Sequence, residues 1–287
     1  MEKEDDFREK VREADIFAEL TEKKGTTLFL GSYSLPEVKA ILKKRNFFKD
    51  AKKRKLWPLE FHLDSTEFPP LQRFQVFFKQ KKPENLIVDL KIREGKFSLK
   101  NESDLNFSPA EFDFLIIEWL TLQNPLIDFK EGKSPLPGQT HPGLNLGKKV
   151  LDIFIHLGKI RKKQGILVFP AYFHNALLFL RYFHFLNPQK EAEVISIQKG
   201  FPQLSFKQLA WIVHLNCLKD SKQRRYEWKA AAQVYPLERV LKKYFEKKEY
   251  KRRVKETQEK MRFFIDWECF KEKYGEKRVI HEEERKK

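Results

Sequence analysis

Cysteine is almost missing from this 287-residue chain: Cys217 and Cys269 are the only two. A disulfide framework is therefore excluded, and no CxxC or Cys/His cluster has the spacing of a zinc site. A reducing compartment suits such a chain, and the cytoplasm is the expected location. Glycine (11 residues) and proline (14 residues) are also sparse, which excludes a collagen-like or low-complexity protein. The opening MEKEDDFREKVREAD has no apolar run, so no secretory signal is expected. No membrane span is expected either, because Pro170, His174, Asn175, Arg181 and His184 interrupt the one near-candidate, Ile166 to Leu186. The GxSxG, HExxH and EF-hand spacings are absent, leaving nucleophilic triads and metal sites without support.

What the chain does contain is apolar and cationic. A hydrophobic share of 41% with 14% aromatic residues is enough for a core, and the length suits two average domains or one large one. Lys and Arg number 58 against 41 acidic residues, a net charge of +17. Anionic partners are implied, among them nucleic acid, phosphate-bearing cofactors and acidic proteins. The excess is mostly lysine, which binds phosphate as a point charge without the planar fork that reads bases.

Periodicity predicts a charged amphipathic helix over residues 4–24, a short strand at Thr27–Gly31 and a helix from Ser34-Leu35-Pro36-Glu37 to about Lys44. The basic run Lys52–Lys55 falls on an expected turn. Alternation predicts strands at Phe74–Lys79 and Leu86–Ile92, with Lys96–Lys100 pairing back after a Glu94-Gly95 turn. Ser108-Pro109-Ala110-Glu111 reads as a capping box opening a helix over 109–122, the alternative being that FLIIEWLTL is a strand. A proline-punctuated loop covers Asn124 to Pro142. A helix beginning near Gly147 and ended by Gly165 follows, then a buried strand Ile166–Phe169 and a helix over 174–185. Further on, Val194–Gln198 reads as a strand, Leu204–Leu218 as a helix and Glu227–Pro236 as a turn or strand. The chain after Pro236 reads as helical, with frayed final residues. The fold class expected is α/β with a mixed, largely antiparallel sheet flanked by helices. Residues 1–200 form its core, and residues 201–287 a basic helical extension packed on it.

The most informative order is a glycine-bracketed turn, a lysine-rich helix start, a buried strand and a helix, all within residues 143–186. A helix start leaves N–H groups without intrahelical acceptors and is the positive end of the macrodipole. Glycines there let a phosphate approach the backbone. Gly143, Leu144, Asn145, Leu146, Gly147 and Lys148 are accordingly the candidate phosphate cradle, with Lys149 adding charge. Tight packing by a glycine turn is the alternative use of the same residues. P-loop and Rossmann spacings do not fit: three residues, not four, lie between Gly143 and Gly147, and no strand precedes the turn directly.

Pro142-Gly143-Leu144-Asn145-Leu146-Gly147 resembles the pyrophosphate loop Arg/Gln-x-x-Gly-x-Gly/Ala of the GNAT acyltransferases. Pro142 stands in place of the Arg/Gln and Asn145 in place of the middle glycine. Phe173 through Phe185 is similar to that family's later Asn-x-x-Ala-x-x-Leu-Tyr helix and Gly-Phe, with Ala176, Phe179 and Phe185 in matching places. The resemblance covers about residues 140–187. It implies a GNAT-like core, a strand before the loop, acetyl-CoA or another acyl-CoA as cofactor, and acyl transfer to an amine acceptor. It also implies that Glu118 is the base if FLIIEWLTL is a strand, and a solvated side chain if it is a helix. Leu180 occupies the place of the family's tyrosine, so Tyr182, two residues on, becomes the candidate proton donor. His174 is a candidate base or shuttle beside the loop, as is His141, a structural hydrogen bond being the alternative for each. The rival to an enzyme is a binding protein on the same scaffold, holding nucleic acid or an acidic partner.

Overall fold

The computed structural model of the protein describes residues 26–98, 111–129 and 135–284. The helix expected over 4–24 and the Ser108-Pro109-Ala110 cap lie outside them. Among the described residues nine helices accompany a seven-stranded, largely antiparallel sheet, a mixed α/β protein. Its strand order is β1 (Leu59–Asp64), β2 (Gln72–Phe78), β3 (Leu86–Ser98), β4 (Glu111–Leu122), β5 (Gly165–Val168), β8 (Gln233–Pro236) and β6 (His184–Phe185). β4 and β5 are parallel, in register from Phe114 opposite Gly165 to Ile117 opposite Val168. The β1–β2, β2–β3, β5–β8 and β6–β8 pairs are antiparallel. A separate two-stranded sheet joins β7 (Leu218–Asp220) to β9 (Phe263–Ile265).

The helix expected over 109–122 is not formed: Glu111–Leu122 is the strand β4, the alternative reading of FLIIEWLTL. Phe112, Phe114, Leu115, Ile116 and Ile117 are all buried, on both faces of the sheet. A strand covered on both sides needs no alternation, so its apolar run imitates a helical stripe.

The chain forms two compact units, Met1–Glu94 with Glu118–Asn124, and Gly95–Ile117 with Pro125–Lys287. In the first, the Ser34–Glu37 capping box opens α1 (Leu35–Lys44), with the Ser34 amide and hydroxyl both 2.7 Å from Glu37 Oε2. Lys52 and Lys53 do not lie on a turn but close α2 (Phe47–Lys53), where cations suit the negative end of the helix dipole. Thr27–Gly31 is no strand: Leu30 and Gly31 take positive φ, and the chain doubles back so that Phe29 bridges Tyr33. Glu94-Gly95 makes no turn, because β3 runs unbroken to Ser98. The Phe74 ring packs at a tilt between those of buried Phe29 and half-buried Phe61 in this unit.

In the second unit α3 (Gly147–Ile160) leads to β5, and Gly165 opens that strand because a Cβ there would meet the Phe114 ring at 2.7 Å. The helix expected over 174–185 is shorter, α4 (Phe173–Phe179). Phe179 and Phe183 pack at 5.4 Å across a turn, and His184–Phe185 pairs with β8 as β6. Val194–Gln198 is not a strand but part of α5 (Pro188–Gly200). The Asn187 side chain accepts from the Gln189 and Lys190 amides, so a cap outweighs the local strand signal. There follow α6 (Phe206–His214), α7 (Arg239–Glu246), α8 (Lys248–Lys260) and α9 (Trp267–Glu284), interrupted by the unexpected strand β9. Phe112, Phe114, Leu167, Val234 and Tyr244 centre one of this unit's cores, each fully buried side chain contributing about 1.5–3 kcal/mol.

Candidate functional site

The turn before α3 alternates in exposure. Leu144 and Leu146 are buried at 3% and 6%, whereas Gly143, Asn145, Gly147, Lys148 and Lys149 are exposed. The two leucines anchor the turn, leaving the backbone between them at the surface. Asn145 has φ +55°, a left-handed conformation that Asn adopts more readily than most residues. Leu146 follows at φ −107° and ψ 8°. A left-handed residue followed by one near the right-handed region aims successive N–H groups to one side, an anion-binding concavity. No side chain caps α3 at Leu146, and no acidic residue occupies its first turn. A Cβ at Gly147 would meet nothing within 4 Å. The left-handed turn at Asn145 and the exposed side chains of Lys148 and Lys149 thus lie together at the positive end of the α3 dipole.

The sheet places this turn. Gly158, near the end of α3, packs against Leu237 and Ile166, so α3 runs back along β5. Its amino end lies toward the carboxyl end of β5, the end at which open α/β sheets hold ligands.

Two aromatic side chains fix the loop that precedes the turn. The Trp211 indole N–H donates to the Pro135 carbonyl at 2.9 Å. Gly138, at φ +75°, sits where a Cβ would collide with the Tyr172 ring and hydroxyl. The other face of the arrangement is histidine: His174 stacks on Tyr172 at 5.4 Å and is 3% exposed. Burial, with a smaller contribution from His214, lowers the His174 pKa to about 4. His174 Nδ1 and His141 Nδ1 are buried without a hydrogen-bond partner among the described residues.

The remaining candidates sit apart in character. Glu118 belongs to the first unit, on β4 and not on a helix. Its Oε1 accepts from Arg93 Nε at 2.6 Å, each side chain about one-third exposed. Tyr182 belongs to the second unit and is 43% exposed on the turn after α4.

A groove in the second unit went unseen in the sequence. It has a volume of about 310 Å³ and is lined by His184, Glu191, Tyr250, Lys251 and Lys255, among others. Buried Glu191 accepts from the Phe185 amide and the Tyr250 hydroxyl, both at 2.9 Å. Burial and that carboxylate push the Tyr250 pKa up. These residues come from three separated elements, and no local pattern joins them.

No family model matches the chain, and no curated protein does. Solved structures give remote likenesses. One titled as a bacterial toxin has TM-score 0.32 at 10% identity, over 61% of this chain and 72% of that one. A KacTA–DNA complex has TM-score 0.29 at 11% identity, over 71% and 86%. AtaT complexed with acetyl-methionyl-tRNAfMet has TM-score 0.25 at 11% identity, over 52% and 74%. Among the described residues no helix is long and apolar enough to cross a membrane, and no group of His, Cys, Asp or Glu is placed to hold a metal ion.

Proposed function

We propose that this protein is an acyl-CoA-dependent N-acyltransferase whose cofactor diphosphate rests on the turn Gly143–Lys148. The observation that carries the reading is the exposed, left-handed turn at Asn145 leading into a helix that no side chain caps. A strand before that turn, β4, is what the resemblance to the GNAT acyltransferases requires. When bound, acyl-CoA supplies a thioester carbonyl open to attack by an amine. The chain's own part at this end is electrostatic: amides following Asn145 hold phosphate oxygens, and Lys148 and Lys149 offset their charge. In this reading the Tyr182 hydroxyl supplies a proton to the departing thiolate, and the base that takes one from the amine is sought at Glu118 by substitution. His174, shut in and uncharged at neutral pH, positions Tyr172 and the loop over Gly138.

Calorimetry with acetyl-CoA tests the cofactor assignment. Micromolar binding by the native chain is expected, with at least tenfold weakening in Gly147→Glu. That substitution places a carboxylate beside the phosphates in open space, so the melting temperature stays unchanged. Absence of heat at millimolar acetyl-CoA, or equal binding by Gly147→Glu, overturns the assignment.

A further inference from the structure

Positive charge is concentrated far from uniformly in this chain. Between Leu35 and Lys55 lie nine basic residues against two acidic ones, so these 21 residues hold seven of the 17 net positive charges. The structure folds them into the consecutive helices α1 and α2 of the first unit. Lys43, Lys44, Lys49, Lys52, Lys53 and Lys55 are all exposed.

Beside this surface stands an aromatic platform. Trp57 is 46% exposed, a costly placement for the largest apolar side chain. The Lys52 ammonium sits 4.4 Å from the Trp57 ring centroid. Phe48 meets the Trp57 ring edge-on at 6.0 Å and Phe61 at 5.9 Å, and Lys39 lies 5.0 Å from the Phe61 ring. Phe48 thus holds Trp57 from one edge, while lysines interleave with the rings. Alternating aromatic faces and flexible cations match a polymer that alternates flat bases with phosphates. A membrane surface would ask instead for a continuous apolar helix face of several Trp, Phe or Leu side chains. Within this surface the one large apolar side chain left exposed is Trp57.

We propose that the α1–α2 face, with Trp57 at its edge, binds unpaired nucleic acid, a base stacking on Trp57 and the lysines of α2 holding the neighbouring phosphates. The predominance of lysine makes the contact tolerant of sequence. This surface carries its own charge and its own ring, so it stands or falls independently of the acyl-CoA reading.

Fluorescence anisotropy of the full chain with a labelled 20-nucleotide oligo(dU), its duplex with oligo(dA), and phosphatidylserine vesicles tests the proposal. The single strand is expected to bind at least tenfold more tightly than the duplex, and vesicles to compete poorly. Trp57→Ala is expected to weaken the single strand about tenfold without altering the salt dependence, since stacking carries no counterions. Trp57→Phe restores most of the loss. Replacing Lys49, Lys52, Lys53 and Lys55 by Ala is expected to flatten the slope of log K against log salt by up to about 2.8, at roughly 0.7 per lost phosphate contact. Trp267→Ala, at an exposed tryptophan in the second unit, serves as the control that leaves binding unchanged. Equal affinity for duplex and single strand, no effect of Trp57→Ala in a folded variant, or vesicles displacing the oligonucleotide at equal lipid charge would each overturn the proposal.

Discussion

Cys217 and Cys269 face one another with their sulfurs 2.8 Å apart, both thiols free and buried. Cys217 directly precedes β7, and Cys269 lies in the first turn of α9, so the pair joins that helix to the second unit's core. Burial, then the hydrogen bond with Cys269, pushes the Cys217 thiol up to about 12. A thiol this protonated is a poor nucleophile. The native chain is therefore expected to leave Ellman's reagent unreacted at pH 8 over minutes, with both thiols titrating at once in 6 M guanidinium. The sign of the pH effect follows: the folded thiol keeps its proton where the unfolded one has lost it. Stability is expected to be complete below about pH 8.5 and to decline from there toward pH 12. Cys217→Ala flattens that alkaline decline, measured by urea unfolding at each pH.

His174 sets the opposite edge of the stability range. Its folded pKa of about 4 lies below the roughly 6.5 of an unfolded histidine, so between those values the unfolded chain binds the extra proton. Stability is present above about pH 6.5 and is lost as pH falls toward 4, by about 3 kcal/mol in all. His174→Phe keeps the stack on Tyr172 and removes the titration. Urea midpoints from pH 7 to 4 are expected to fall less steeply in this variant than in the native chain. Parallel profiles would assign the acid sensitivity elsewhere.

Local chemistry was legible in the sequence and long-range burial was not. The Ser34–Glu37 box announced α1 because both partners lie within one turn. The helix start after Asn145 was legible for the same reason, as Gly143 to Lys148 is a continuous segment. β4 was ambiguous, since Leu115 and Ile116 are buried from opposite faces by neighbours remote in the chain. Val194 to Gln198 looked like a strand until the cap at Asn187, seven residues earlier, fixed the helix. The ion pair of Glu118 with Arg93 spans 25 residues, and the Tyr250–Glu191 contact spans 59, distances over which a single sequence carries no pairing signal.

The loop over Tyr172 gives a steric test. Gly138 combines φ +75° with a Cβ direction that points into the Tyr172 ring. Gly138→Ala is expected to cost about 2–4 kcal/mol, from left-handed strain and from overpacking. Tyr172→Ala in the same chain removes the overpacking alone. The double variant is expected to be more stable than the sum of the singles, and simple additivity in urea melts would show that the ring and the glycine do not press on each other.

Glu118 separates catalysis from stability cleanly, because its ion pair with Arg93 is about one-third exposed on both sides. Exposed pairs contribute about 0–1 kcal/mol, so Glu118→Gln is expected to fold with an almost unchanged urea midpoint. As the proposed proton acceptor, its carboxylate accounts for about 10²- to 10⁴-fold in kcat. Steady-state transfer from acetyl-CoA to a panel of amines is expected to show that loss, with KM for acetyl-CoA within about threefold of the native value. Tyr182→Phe, at an exposed position, is expected to lower kcat by about tenfold or more while leaving stability unchanged. An undiminished kcat in Glu118→Gln would leave that carboxylate the single task of holding Arg93 across β3 and β4, and the amine would have to reach the thioester already deprotonated.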